Sequence, residues 1–120
     1  MKRQITFHNM SHSEPMEAHA NEKLNKLEEF LKDPEFTTPI NTQLWLKANP
    51  QHPHNAVELL LKTPQLSLEA HDEGTDMYVT IDNTIDKMVK LLVKEKKKII
   101  DKRQKVETEK TAFADDKYSL

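Results

Sequence analysis

The chain has 120 residues, no cysteine, a single glycine and a formal net charge of −2. That length holds one small domain with a modest core, and the missing cysteines exclude disulfides, thiolate zinc sites and cysteine nucleophiles together. With Gly74 as its only glycine, the chain also lacks a P-loop, a dinucleotide-binding turn and a nucleophile elbow. No run approaches a membrane span and the N-terminus has no apolar signal region, so the expectation is a soluble cytoplasmic protein.

The small net charge conceals a division. Residues 1–86 carry 7 Lys/Arg against 14 Asp/Glu, whereas residues 87–105 carry 9 against 2. The excess positive charge sits on about 28 Å of chain if that stretch is helical, a local field that the sequence pI of 6.3 does not betray.

Taken in order, Lys2 to His8 alternates, with Ile5 and Phe7 on one side and Gln4 and Thr6 on the other, the pattern of a strand. After a turn over Asn9 to Ser13, Ser13 caps a helix whose first turn holds Glu14, Pro15 and Glu17. Met16, Ala20, Leu24, Leu27 and Leu31 then repeat at helical spacing, and Asp33-Pro34 ends the helix. A second strand after Pro39 turns Ile40, Thr42, Leu44 and Leu46 one way and Gln43, Trp45 and Lys47 the other. The Pro- and His-rich segment 49–54 is a turn. A third strand, Asn55 to Thr63, points Val57, Leu59 and Leu61 inward. In a fourth strand Leu66, Leu68 and Ala70 face inward, and Thr75 or Asp76 caps a closing helix.

The order is βαβββα. Short connections make strands two to four an antiparallel meander, and the first helix is a crossover that lays strand one parallel to strand two. The predicted fold is an α+β two-layer sandwich, a four-stranded sheet with both helices on one face. Residues 1–105 form the domain, and residues 106–120 are expected to be a mobile tail.

The closing helix carries two stripes, located by its advance of roughly 100° per residue. Ile81, Ile85, Met88, Leu92 and Ile99 fall in one narrow arc, whereas Lys87, Lys90, Lys94, Lys97, Lys98, Lys102 and Lys105 fall in a broader one opposite. A solvated face is the ordinary meaning of a charge run. Here, however, Glu95 and Asp101 lie at the margin and neutralise little, and Lys90/Lys94, Lys94/Lys98 and Lys98/Lys102 repel at i,i+4 by a few tenths of a kcal/mol each. Lysine in place of arginine suits attraction to a phosphate backbone over bidentate base reading. The stripe therefore points to recognition of RNA by shape and backbone, with strong salt dependence.

The segment Asp76-Met77-Tyr78, followed by Ile81-Asp82 and Ile85-Asp86-Lys87, resembles the signature of the ribosome hibernation factors, the hibernation-promoting factor and ribosome-associated inhibitor family of bacteria and plastids. The stretch Glu22-Lys23-Leu24-Asn25-Lys26-Leu27-Glu28 is similar to the family's first-helix segment, βαβββα is its fold, and the likeness spans roughly residues 3–103. The resemblance implies a stress or stationary-phase translation inhibitor that binds 16S ribosomal RNA of the small subunit in the channel for messenger and transfer RNA. It implies RNA-binding roles for Lys23, Lys26, Lys87, Lys90, Lys94 and Lys98, to which the stripe adds Lys97 and Lys102. Asp76, Met77, Tyr78 and Asp82 carry the signature, with Asp76 read as a cap and Tyr78 as a packing or rim residue. The length is that of the family's short form, without its additional dimerisation domain, and the chain is expected to be a monomer off the ribosome.

Some features fit less well. Leu91 falls beside the basic stripe, and Lys96 and Arg103 fall in the apolar arc, as if the helix outruns its sheet beyond Val93. The histidines at 8, 12, 19, 52, 54 and 71 show no zinc-site spacing, and no metal or cofactor is expected. The carboxylates Glu22, Glu28 and Glu29 sit beside lysines on a wet face, which does not suit acid–base catalysis, so no enzyme is expected. Trp45 and Leu60 point to the uncovered sheet face. They carry the alternative function, a protein-interaction module modulating a transcription or other regulatory factor. A free double-stranded RNA binder shares the stripe's electrostatics.

Overall fold

The computed structural model describes all residues except 33–35, 37 and 120, with side chains described as far as residue 102. The elements are β1 (Lys2–His8), α1 (Glu14–Leu31), β2 (Asn41–Ala48), β3 (Asn55–Lys62), β4 (Ser67–Gly74) and α2 (Met77–Ser119). The sheet runs β1-β2-β3-β4. The first pair is parallel, with Ile5 opposite Leu44, and the other two are antiparallel, with Leu44 opposite Leu59 and Leu59 opposite Ala70. This is the expected βαβββα sandwich. The parallel pairing follows from the α1 crossover, and the antiparallel ones from connections too short to cross the sheet.

Alternation along each strand decides which face is covered. Thr42, Leu44 and Leu46 of β2, and Val57, Leu59 and Leu61 of β3, are all buried, and their neighbours are not. Against that face α1 sets Ala20, Leu24, Leu27 and Leu31, while α2 sets Met77, Ile81, Ile85, Met88 and Leu92. Thr80 and Thr84 are buried among these apolar groups. Their hydroxyls donate to Asp76 O at 2.7 Å and Thr80 O at 2.8 Å, one turn back in the same helix, so neither is left unsatisfied.

Local signals explain the element ends. Ser13 has extended backbone and its hydroxyl accepts from Met16 N at 3.4 Å, a weak version of the expected cap. Asp76 proves to be the cap of α2, its Oδ1 accepting from Tyr78 N at 2.9 Å and Val79 N at 3.4 Å. The predicted stop at Asp33-Pro34 lies outside the described residues; α1 closes at Leu31, with Lys32 N donating to Glu29 O at 3.3 Å. The tail expected over 106–120 likewise falls beyond the described side chains. At the end of β4, a Cβ on Gly74 would stand 2.9 Å from Thr80 Oγ1. The only glycine therefore sits where a side chain would force the Thr80 hydroxyl off its bond to Asp76 O.

Two polar clusters fasten the helices to the sheet edges. Arg3 of β1 donates to Asn25 Oδ1 at 2.7 Å and to Glu28 Oε2 at 2.6 Å on α1, with the N-terminal ammonium 3.5 Å from Glu28 Oε1. On the opposite edge Lys87 Nζ of α2 donates to Asp72 Oδ1 at 2.9 Å and to His71 O at 3.0 Å, and Asn83 Nδ2 donates to Asp72 Oδ2 at 3.1 Å. The Arg3 hydrogen bond, chiefly, holds the Glu28 carboxyl below its ordinary pKa, and the Lys87 hydrogen bond does the same for Asp72. A carboxylate whose pKa is lower folded than unfolded adds stability above its unfolded pKa and loses it as pH falls through the folded value. The melting temperature is therefore expected to drop as pH goes below about 4. The drop should be smaller in a Glu28→Gln, Asp72→Asn variant, and an equal drop in both proteins contradicts this account.

Candidate nucleic-acid interface

The lysine stripe stands on the side of α2 turned away from its buried residues, because one helix cannot bury both arcs. Lys87, Lys90, Lys94, Lys97, Lys98 and Lys102 are all exposed. Among the described residues Lys90, Lys94, Lys97 and Lys102 form no ion pair or hydrogen bond. The stripe is less uniform than its spacing implies. Lys87 is spent on Asp72, and Lys98 lies 3.4 Å from Glu95 at i,i+3. Glu95, placed at the margin by sequence, thus partly neutralises one lysine, although Lys98 remains 60% exposed. Surface pairs of this kind are worth at most about 1 kcal/mol and yield to a polyanion.

On α1, Lys26 is exposed, and Lys23 is half-buried with Nζ 3.8 Å from Asp82 Oδ1 of α2. The predicted site residues therefore fall into two groups. The α2 row rises on the β4 side, and Lys23 and Lys26 stand on α1, Lys23 facing Asp82 of α2.

The contact between α1 and α2 contains a pairing that sequence reasoning missed. His19 Nε2 lies 2.7 Å from Asp82 Oδ1, and the His19 ring meets the Tyr78 ring edge-on at 5.1 Å and 82°. Asp82 and Tyr78 thus clasp α1 to α2 through one histidine. No sequence signal pointed to it, since His19 and Asp82 are 63 positions apart. Tyr78 is 38% exposed, while Met77 is buried as core.

Leu91, which looked misplaced, is explained by position. It is half-buried against the core and borders Glu69, Ala70 and His71 of β4, so it covers the sheet's outer edge. The expectation that α2 leaves the sheet beyond Val93 holds in part. Among the described residues Leu92 is the last fully buried one and Val93 is half exposed, but Ile99 still lines a cleft with Phe36, Thr63 and Leu66.

The uncovered sheet face carries a shallow cleft of about 480 Å³ around Trp45, Leu60, Glu58, Glu69 and His71. Lys47 caps Glu58 there at 3.0 Å. Two further histidines meet carboxylates, His54 with Glu73 at 3.0 Å and His12 with Glu17. Among the described residues no group of three or more His, Cys, Asp or Glu side chains could hold a metal ion. No helix among them is long and apolar enough to cross a membrane.

The fold has solved counterparts. A ribosomal subunit interface protein from Coxiella burnetii superposes with a TM-score of 0.64 at 24% identity, covering 80% of this chain and 98% of its own. The N-terminal domain of Protein Y from Thermus thermophilus superposes with a TM-score of 0.60 at 14% identity, covering 82% and 96%. At such identities these likenesses establish the fold. The sequence itself matches the family described as Sigma 54 modulation protein / S30EA ribosomal protein over residues 3–100. The chain belongs to that family, the ribosome-associated hibernation and modulation proteins.

Proposed function

We propose that the chain inhibits translation by occupancy. It binds ribosomal RNA of the small subunit in the channel for messenger and transfer RNA, in the cytoplasm of starved or stationary cells, and performs no chemistry. Family membership supports ribosome association. The observation that carries the RNA reading is the exposed row of Lys90, Lys94, Lys97 and Lys102, without partners among the described residues, on a helix whose first turns are anchored by Ile81, Ile85, Met88 and Leu92. Such a row offers point charges at helical intervals and no rigid fork, which suits phosphates over base edges. Lys23 and Lys26 extend the contact to α1, and the sandwich body fills space that messenger and transfer RNA need.

The test is co-sedimentation of the purified chain with isolated small subunits at low salt, where the chain is expected in the pellet. A chain left in the supernatant contradicts the proposal. A second reading, a protein-interaction module acting on a regulatory factor, draws on the Trp45–Leu60 cleft and on the sigma 54 modulation in the family's description. An apolar protein contact of that kind responds little to salt, which separates the two readings.

A further inference from the structure

We infer that the surface where α1 meets α2, at Tyr78 and Lys23, is a subsite for one unpaired nucleotide, its base stacked on the Tyr78 ring and its phosphate held by the Lys23 ammonium. This rests on the RNA-binding reading above and names the state of RNA recognised at one end of the interface.

Tyr78 is one of three large apolar side chains exposed among the described residues. Its hydroxyl has no hydrogen-bond partner there, so the ring is not kept in place for its polar end. It is held all the same. The His19 ring meets it edge-on at 5.1 Å, and His19 is itself fixed by Asp82 at 2.7 Å. An edge-on neighbour occupies at most one face of the tyrosine ring, and a ring that is held in place yet more than a third exposed can serve as a stacking platform.

The same Asp82 oxygen lies 3.8 Å from Lys23 Nζ, at the outer limit of an ion pair, and Lys23 is 28% exposed. The ammonium is thus loosely tethered beside the ring and can pass to a phosphate. Lysines alone serve a duplex backbone, to which an exposed aromatic face adds nothing. Lysine and ring together fit a base that has left its stack.

The test is equilibrium binding to purified small subunits, with chemical probing of base reactivity, for wild type, Tyr78→Ala, Tyr78→Leu, Tyr78→Phe and Lys23→Gln. Tyr78→Ala is expected to weaken binding about tenfold or more while leaving the salt dependence unchanged. A base protected by wild type should become reactive with this variant. Tyr78→Phe should bind within about twofold of wild type because the π-face survives, and Tyr78→Leu should resemble Tyr78→Ala. Lys23→Gln should reduce the salt slope by about one. If Tyr78 only packs, leucine substitutes as well as phenylalanine and no base reactivity follows the ring. That result, or wild-type affinity in Tyr78→Ala, overturns the inference and leaves the lysine-row proposal intact. Wild-type protein that fails to bind small subunits removes the RNA-binding reading first.

Discussion

Reversing charge at two adjacent turns of α2, Lys94→Glu with Lys98→Glu, is expected to abolish co-sedimentation with ribosomes and leave the fold unchanged. Both side chains are exposed, and neither belongs to the buried arc of the helix. The change removes two cations from the row and sets two anions against the same phosphates. The salt slope should therefore fall by about 2 even where residual binding can be measured. The helix should tolerate it. The substitution at position 98 sets a second carboxylate against Glu95 at i,i+3, a repulsion of a few tenths of a kcal/mol, whereas the one at position 94 gains Lys90 and Lys97 as neighbours at helical spacing. Circular dichroism and melting temperature should stay close to wild type. A double variant that pellets as strongly as wild type means that another face binds.

Ile81→Ala is expected to have the opposite profile, large in stability and small in charge. Ile81 is fully buried on the arc of α2 that meets the sheet. Truncation there removes transfer energy and leaves a cavity, together about 2–5 kcal/mol. For a domain whose total stability is about 5–15 kcal/mol, this lowers the melting temperature by roughly 8 °C or more. Every lysine of the row keeps its place while the domain stays folded. Binding measured well below the new melting temperature should therefore persist. A loss of stability under about 1 kcal/mol would show that α2 is not anchored through this residue.

The contrast between these variants reflects what the sequence discloses. Period-2 alternation in β2 and β3 and the spacing of Leu24, Leu27 and Leu31 are readable because one face of each element is covered and the other is wet. β4 is harder to bound. Its inward positions turn from Leu68 and Ala70 to Asp72 and Gly74, so the hydrophobic signal stops at the strand's middle. Backbone pairing nevertheless continues, with Asp72 opposite Val57 and Gly74 opposite Asn55. The charged stripe was legible as a face and not as a set of partners. Sequence spacing shows Glu95 beside the row, but Asp72 reaches Lys87 and Asp82 approaches Lys23 only through the fold. The His19 clasp has the same origin, since a contact between two helices leaves no periodicity to read.

If unpartnered lysines on α2 hold RNA phosphates, binding must weaken steeply as salt rises. Binding of wild-type protein to purified small subunits should be measured from about 50 to 200 mM salt and plotted as log affinity against log salt. With about four lysines engaged, the predicted slope is roughly −3 to −4, a loss on the order of a hundredfold across that range. A flat line, with affinity the same at both ends, would contradict the account.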